Sequence, residues 1–141
     1  MKNQENTREE LLKNIHRIVV KVGTSTLTNE DGSLDIDKIR KIVLEISNLS
    51  DKGYDVALVT SGSVGAGMGV LNMSDRPKTL TEKQAVSAIG QVSLMHLYQT
   101  FFHEHGKVIA QLLLTRGEFS DRRRYLNARN VCNTLLGRKI I

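Results

Sequence analysis

Lys21 is the first residue of this 141-residue sequence whose type and setting suggest chemistry. It stands within Ile18-Val19-Val20-Lys21-Val22, and Gly23, Thr24 and Ser25 follow directly. A lysine among valines is costly to bury, so its ammonium must reach the strand's polar end or an anion. Gly23 lets backbone approach that anion closely, and the two hydroxyls add donors. Thr60-Ser61-Gly62-Ser63 is the second such place, because small residues with free N–H groups form a nest for a carboxylate or oxyanion. Each has a plainer alternative. One is a snorkelling lysine before an ordinary glycine turn. The other is a small-residue helix cap, with Gly65, Gly67 and Gly69 allowing close helix–sheet contact. Neither glycine pattern is G-x-G-x-x-G and no G-x-x-x-x-G-K-[ST] occurs, which disfavours Rossmann and P-loop sites.

The remaining candidates read mostly as structure. His103-x-His105 has no evident third metal ligand, and solvated imidazoles near a helix C-terminus are expected there. His16 and His96 are isolated. Cys132, the single cysteine, excludes an internal disulfide and a Cys-rich zinc site; it is expected to be an inert buried thiol on a helix. Arg122, Arg123 and Arg124 beside Asp121 have the pattern of a solvated helix start.

These residues need strands that end, and helices that begin, at one edge. The β-branched run Ile15–Val22 predicts a strand buried on both faces, and Asp55–Thr60 a second. Asn29-Glu30-Asp31-Gly32 predicts a hairpin turn between Leu27 and Leu34. Ile36, Ile39, Ile42, Val43, Ile46 and Leu49 form a helical stripe, with Asp35 as N-cap and Gly53 just past its end. Gly65, Gly67 and Gly69 lie on a segment that reads as a small-residue helix running to Leu71, and Asn72–Thr79 is a surface connection. Thr7-x-x-Glu10 and Thr79-x-x-Glu82 have capping-box spacing, which predicts a short helix over Arg8–Lys13 and a long one from Glu82 to about His105. Val108–Leu114 predicts a third strand, Arg122–Leu136 a last helix stopped at Gly137, and Lys139–Ile141 the start of a fourth strand. Strands alternating with helices imply right-handed crossovers and a mainly parallel sheet covered on both faces. The expected fold is therefore α/β, a three-layer αβα sandwich.

Composition limits the partners. Twenty Lys and Arg against 15 Asp and Glu give +5, yet the basic residues are scattered, so a nucleic-acid face is not expected. No apolar stretch approaches the ~20 residues of a membrane span, and the polar Met1–Asn14 is unlike a signal peptide. A cytoplasmic location is expected. The long helix is apolar on more than one face, which asks for a second subunit; a homo-oligomer is expected.

Five segments occur in order: V-V-K-V-G-T-S-T-L-T at Val19–Thr28, V-T-S-G-S-V-G-A-G at Val59–Gly67, K-Q-A-V-S-A-I-G-Q at Lys83–Gln91, Q-L-L-L-T-R at Gln111–Arg116 and Y-L-N-A-R-N at Tyr125–Asn130. Together they resemble the amino-terminal lobe of the glutamate 5-kinases, within the amino acid kinase family. The resemblance covers about Ile15 to Ile141. It implies an amino acid kinase-like fold and ATP-dependent phosphorylation of the L-glutamate γ-carboxylate, the first step of proline biosynthesis. It implies that Lys21 is the catalytic, phosphate-binding lysine and that Gly23 brings backbone N–H to the same ATP phosphates. Ser61 and Gly62 would hold glutamate, and Thr24 would bound that pocket. Mg²⁺ as cofactor and proline as feedback inhibitor are implied in the same way.

On this resemblance, residues 1–14 are an extension and residues 15–141 the substrate- and phosphate-binding lobe. The sandwich is then incomplete at the C-terminus, the nucleotide-binding lobe is absent, and no activity is expected of the chain alone. Two alternatives stay open: a kinase of the same fold for another carboxylate or carbamate, and a non-catalytic binding or assembly module.

Overall fold

A computed structural model describes residues 13–29 and 31–141. The helix expected over Arg8–Lys13 lies outside them except for Lys13, which stands in a turn. Two β-branched runs form strands, β1 (Arg17–Lys21) and β2 (Asp55–Val59). They pair parallel, with Arg17 opposite Asp55 and Lys21 opposite Val59. The ladder extends past β1, where the Val22 N–H donates to the Val59 carbonyl at 2.8 Å.

Between the strands the chain makes a short helix, α1 (Thr24–Leu27), then a tight hairpin closed by the Thr28–Leu34 antiparallel bridge. The hairpin turn falls where Asn29–Gly32 predicted it, with Gly32 at φ +87°. Helix α2 (Ile36–Asp51) follows, with the Asp35 carboxylate accepting from the Lys38 N–H at 3.0 Å. Burying Ile39, Val43 and Ile46 along one stripe contributes about 1.5–3 kcal/mol per side chain.

After β2 come α3 (Ser63–Val70) and the long α4 (Leu80–Glu104). Both hydrogen bonds of the Thr79–Glu82 capping box are present at the start of α4. Two further helices, α5 (Arg116–Ser120) and α6 (Arg122–Gly137), complete the order. The core lies between one sheet face, α2 and α4: Val22, Leu27, Ile39, Val43, Ile46, Val56, Leu94, Tyr98, Phe101 and Phe102 form one cluster.

Several expectations need correction. β1 is not buried on both faces: exposure alternates along it, and Val19 is 63% exposed on the face away from α2 and α4. That second face is met only near its beginning, where Arg17 reaches Asn133 of α6 and Lys139 reaches Asp55. Val108–Leu114 is extended but forms no strand. Its start nevertheless exchanges two backbone bonds with Ile141 in the parallel pattern, Ile141 N–H to Val108 O and Ala110 N–H to Ile141 O. α6 ends at Gly137 as expected, but the left-handed turn falls to Lys139 at φ +57° rather than to the glycine. Cys132 is half-buried rather than buried. The short helix α5, with its own Thr115–Glu118 capping box, went unread.

Candidate active site

Because β1 and β2 run parallel and in register, the segments that leave them, Val22–Ser25 and Thr60–Ser63, emerge side by side at one edge. In parallel α/β sheets this carboxyl edge is where ligands meet helix N-termini. All five residues singled out for chemistry, Lys21, Gly23, Thr24, Ser61 and Gly62, lie here.

Lys21 ends β1 on its exposed face and folds back over Gly23. A Cβ at Gly23 would stand 3.3 Å from Lys21 Nζ, so the absence of a side chain leaves room for the ammonium over the backbone. Across the edge, Thr24 Oγ1 lies 3.1 Å from Ser61 Oγ, and Ser61 Oγ donates to the Val22 carbonyl at 3.3 Å. That bond uses the Ser61 proton, so Thr24 is the donor between the two hydroxyls. Segments 37 residues apart in sequence are thus joined by their hydroxyls.

Gly62 turns the chain from β2 into α3 at φ +105°, a conformation that disfavours any residue with a Cβ. It caps α3 without a side-chain acceptor, which leaves N–H groups of the first turn for a ligand. The Ser63 hydroxyl meets Ser87 of α4 at 2.7 Å, anchoring the same turn from behind. Thr60 Oγ1 lies 2.7 Å from the phenol of Tyr98 and donates to the Ser61 carbonyl at 3.2 Å. Burial pushes the Tyr98 phenol up from its ordinary acidity, partly opposed by the Thr60 hydrogen bond.

The close packing expected of Gly65, Gly67 and Gly69 is partly correct but is made with helices and the hairpin, not the sheet. A Cβ at Gly67 would overlap the Val86 carbonyl, and one at Gly90 would overlap the backbone of Ser63 and Gly67. At Gly65 it would come within 2.6 Å of the Gly32 carbonyl, while Gly69 has open space. Helices α3 and α4 therefore cross in backbone contact directly behind the Ser61–Gly62 turn.

An open depression of about 620 Å³ continues outward from Thr24, lined by Ser25, Thr28, Asn29, Lys38 and Arg76. In the sequence Ser25 reads as a hydroxyl donor and Asn29 as part of the turn, but nothing there gives Thr28, Lys38 or Arg76 a part in a site. Lys38 reads as a helix-surface residue, and Arg76 lies in a connection with no pattern of its own. Tyr98 and Ser87 were also missed, Tyr98 because it merges into the apolar stripe of α4.

The donors at this edge are an ammonium, hydroxyls and backbone N–H groups, which suit anionic oxygens of phosphate and carboxylate. They do not suit Mg²⁺, which takes carboxylate and water oxygens. Among the described residues no cluster of three His, Cys, Asp or Glu side chains exists to hold a metal, His103 and His105 included.

A parallel strand pair with a Lys-Gly turn and a Ser-Gly helix cap at one edge brings an ammonium, hydroxyls and backbone N–H groups together in an α/β fold. The chain belongs to the amino acid kinase family, whose family model matches residues 16–141. Among curated relatives, the chain is 58% identical over 120 residues to a protein named glutamate 5-kinase from Caldanaerobacter subterraneus subsp. tengcongensis, covering 85% of this chain and 32% of that protein. It is 47% identical over 136 residues to the glutamate 5-kinase of Clostridium acetobutylicum, covering 96% and 51%. The glutamate 5-kinase of Carboxydothermus hydrogenoformans is 43% identical over 133 residues, covering 94% and 36%. The chain thus spans about a third to a half of the length of these relatives.

Proposed function

We propose that this lobe serves ATP-dependent phosphorylation of the γ-carboxylate of L-glutamate, giving glutamyl 5-phosphate and ADP for proline biosynthesis. The observation that carries the reading is the juxtaposition of Lys21 over Gly23 with the Thr24–Ser61 hydroxyl pair at the carboxyl ends of two adjacent parallel strands. The names of the relatives support the choice of substrate.

In the step, a γ-carboxylate oxygen attacks the γ-phosphorus of ATP, and the bond from that phosphorus to the β–γ bridging oxygen breaks. The electron pair leaves with ADP. The nucleophile is already ionised, so no general base is required, and catalysis reduces to positioning and charge neutralisation. Lys21 offsets negative charge on the transferring group, and Gly23 lets backbone N–H reach the same phosphates. Ser61, Gly62 and the first turn of α3 hold the glutamate carboxylate, with Thr24 bounding that pocket. Mg²⁺, where the reaction uses it, binds to groups other than this edge.

The same reading makes residues 15–141 the substrate- and phosphate-binding lobe of an αβα sandwich. The two Val108–Ala110 bonds to Ile141 are then the start of further parallel pairing. It also carries proline as a possible feedback inhibitor, a homo-oligomer and a cytoplasmic setting. No helix among the described residues is long and apolar enough to cross a membrane.

The test is glutamate-dependent ADP release by the full-length protein, with aspartate and N-acetylglutamate as competing acceptors. Turnover with glutamate alone supports the proposal. Preference for another carboxylate moves the protein to a different member of the family.

A further inference from the structure

Tyr98 stands in the C-terminal half of α4 and is 1% exposed, with its ring 6.2 Å from that of Phe102. A phenylalanine would supply the same packing, and a buried phenol is tolerated only when its hydroxyl finds a partner. The partner is Thr60 Oγ1, at 2.7 Å. Thr60 donates its own proton to the Ser61 carbonyl, so the phenol is the donor in this pair. The chain of contacts runs from the long helix through Thr60 to the peptide that carries Ser61, whose Oγ in turn meets Thr24.

We infer that Tyr98 is a positioning residue for substrate binding: through Thr60 it fixes the Ser61 peptide so that the Ser61 hydroxyl faces Thr24 in advance of the ligand. The inference rests on the reading that Ser61 receives the glutamate carboxylate. Its physical basis is pre-organisation. A turn held from behind loses less freedom when the ligand arrives than one held only by the ligand. The Ser63–Ser87 contact ties down the other end of the same turn, so α4 grips both flanks of Ser61–Gly62.

The test is a set of variants in the full-length protein, read by steady-state kinetics and thermal melting. Tyr98→Phe is expected to raise the KM for glutamate about five- to tenfold while kcat and the KM for ATP change by less than about twofold. Thr60→Val is expected to do the same, and Thr60→Ser, which keeps the hydroxyl, to restore near-normal kinetics. The double variant Tyr98→Phe/Thr60→Val is expected to be no worse than Thr60→Val alone, because both remove one shared interaction. Phe102→Leu is the packing control and is expected to lower Tm without moving the glutamate KM.

An unchanged glutamate KM in Tyr98→Phe, alongside a raised one in Ser61→Ala, overturns the inference and leaves the site intact. Equal effects of Tyr98→Phe and Phe102→Leu on both Tm and KM overturn it too, since packing alone then explains Tyr98. An unchanged glutamate KM in Ser61→Ala removes the underlying reading and the inference with it.

Discussion

Lys21 ends one strand and Ser61 follows the end of its neighbour, and in the proposed reaction they serve different moments. Negative charge shifts among the phosphoryl oxygens as transfer proceeds, and an ammonium lying over Gly23 acts most strongly at that moment. Lys21→Ala is therefore expected to lower kcat about 10²–10³-fold in the full-length protein, with a smaller change in the KM for glutamate. Near-normal turnover would take Lys21 out of the site. On the proposed reading Ser61 meets the substrate before any bond changes, so Ser61→Ala is expected to act chiefly on the glutamate KM. A change confined to the KM for ATP would mean that the two ligands are assigned to the wrong strands. Both residues were legible in the sequence because chemistry forces their placement: a lysine in a valine run and a Ser-Gly pair after a strand have few comfortable positions. The hydroxyl contact between Thr24 and Ser61 was not legible. It depends on parallel register, which brings residues 37 apart to within one hydrogen bond.

At the scale of elements, the crossing of α3 and α4 decides how the substrate turn is held. Gly90 and Gly69 are both helical glycines, but a Cβ at Gly90 would overlap Ser63 and Gly67 backbone, whereas Gly69 faces open space. Gly90→Ala is expected to destabilise by about 2–4 kcal/mol, since two helix backbones must separate, while Gly69→Ala is expected to gain up to about 1 kcal/mol from helix propensity. Chemical denaturation of the two variants checks the contrast, and equal effects would mean that the crossing is looser than described. The caps make a second test. Asp35, Glu82 and Glu118 are held below the usual carboxylate range: Asp35 first by Lys38, Glu82 by the Thr79 and Lys78 backbone, and Glu118 by the Thr115 hydroxyl. Asp55 is lowered mainly by Lys139. Groups whose folded pKa is depressed add stability above their unfolded pKa, near 4, and lose it as pH falls through the folded value. Stability is thus expected to decline from about pH 4 downward, with a shallower decline in Glu82→Gln; a pH series of denaturant midpoints reads both. Helix starts were the most legible elements, because Asp35 and Thr79-x-x-Glu82 announce them locally. Val108–Leu114 misled: its apolar run has strand composition, but pairing is a property of neighbours, and among the described residues only Ile141 pairs with it.

For the whole molecule, the distribution of uncovered apolar surface matters more than its amount. The core sits on one side of the sheet, against α2 and α4, and the other side leaves Val19 and Val59 in the open. The long helix has the opposite arrangement. Its inward side buries Val86, Leu94, Tyr98, Phe101 and Phe102, while Ala85, Ile89, Val92 and His96, at helical spacing, form an outward stripe with Val92 73% exposed. The sequence already showed that the apolar residues of α4 could not share one face, and the exposed stripe is the half that the core does not use. Burying such a stripe against a symmetry-related copy is the simplest way to cover it, because a two-fold interface needs only one self-complementary surface. The chain is therefore expected to associate in solution, and a charge placed in the stripe, Val92→Glu, to shift it toward monomer without loss of helical signal. Light scattering at micromolar concentration decides: association that Val92→Glu abolishes puts the contact on α4. A wild-type monomer would leave the stripe uncovered by self-association. Association unchanged by Val92→Glu would move the contact to another surface, with the open sheet face at Val19 and Val59 the next to test.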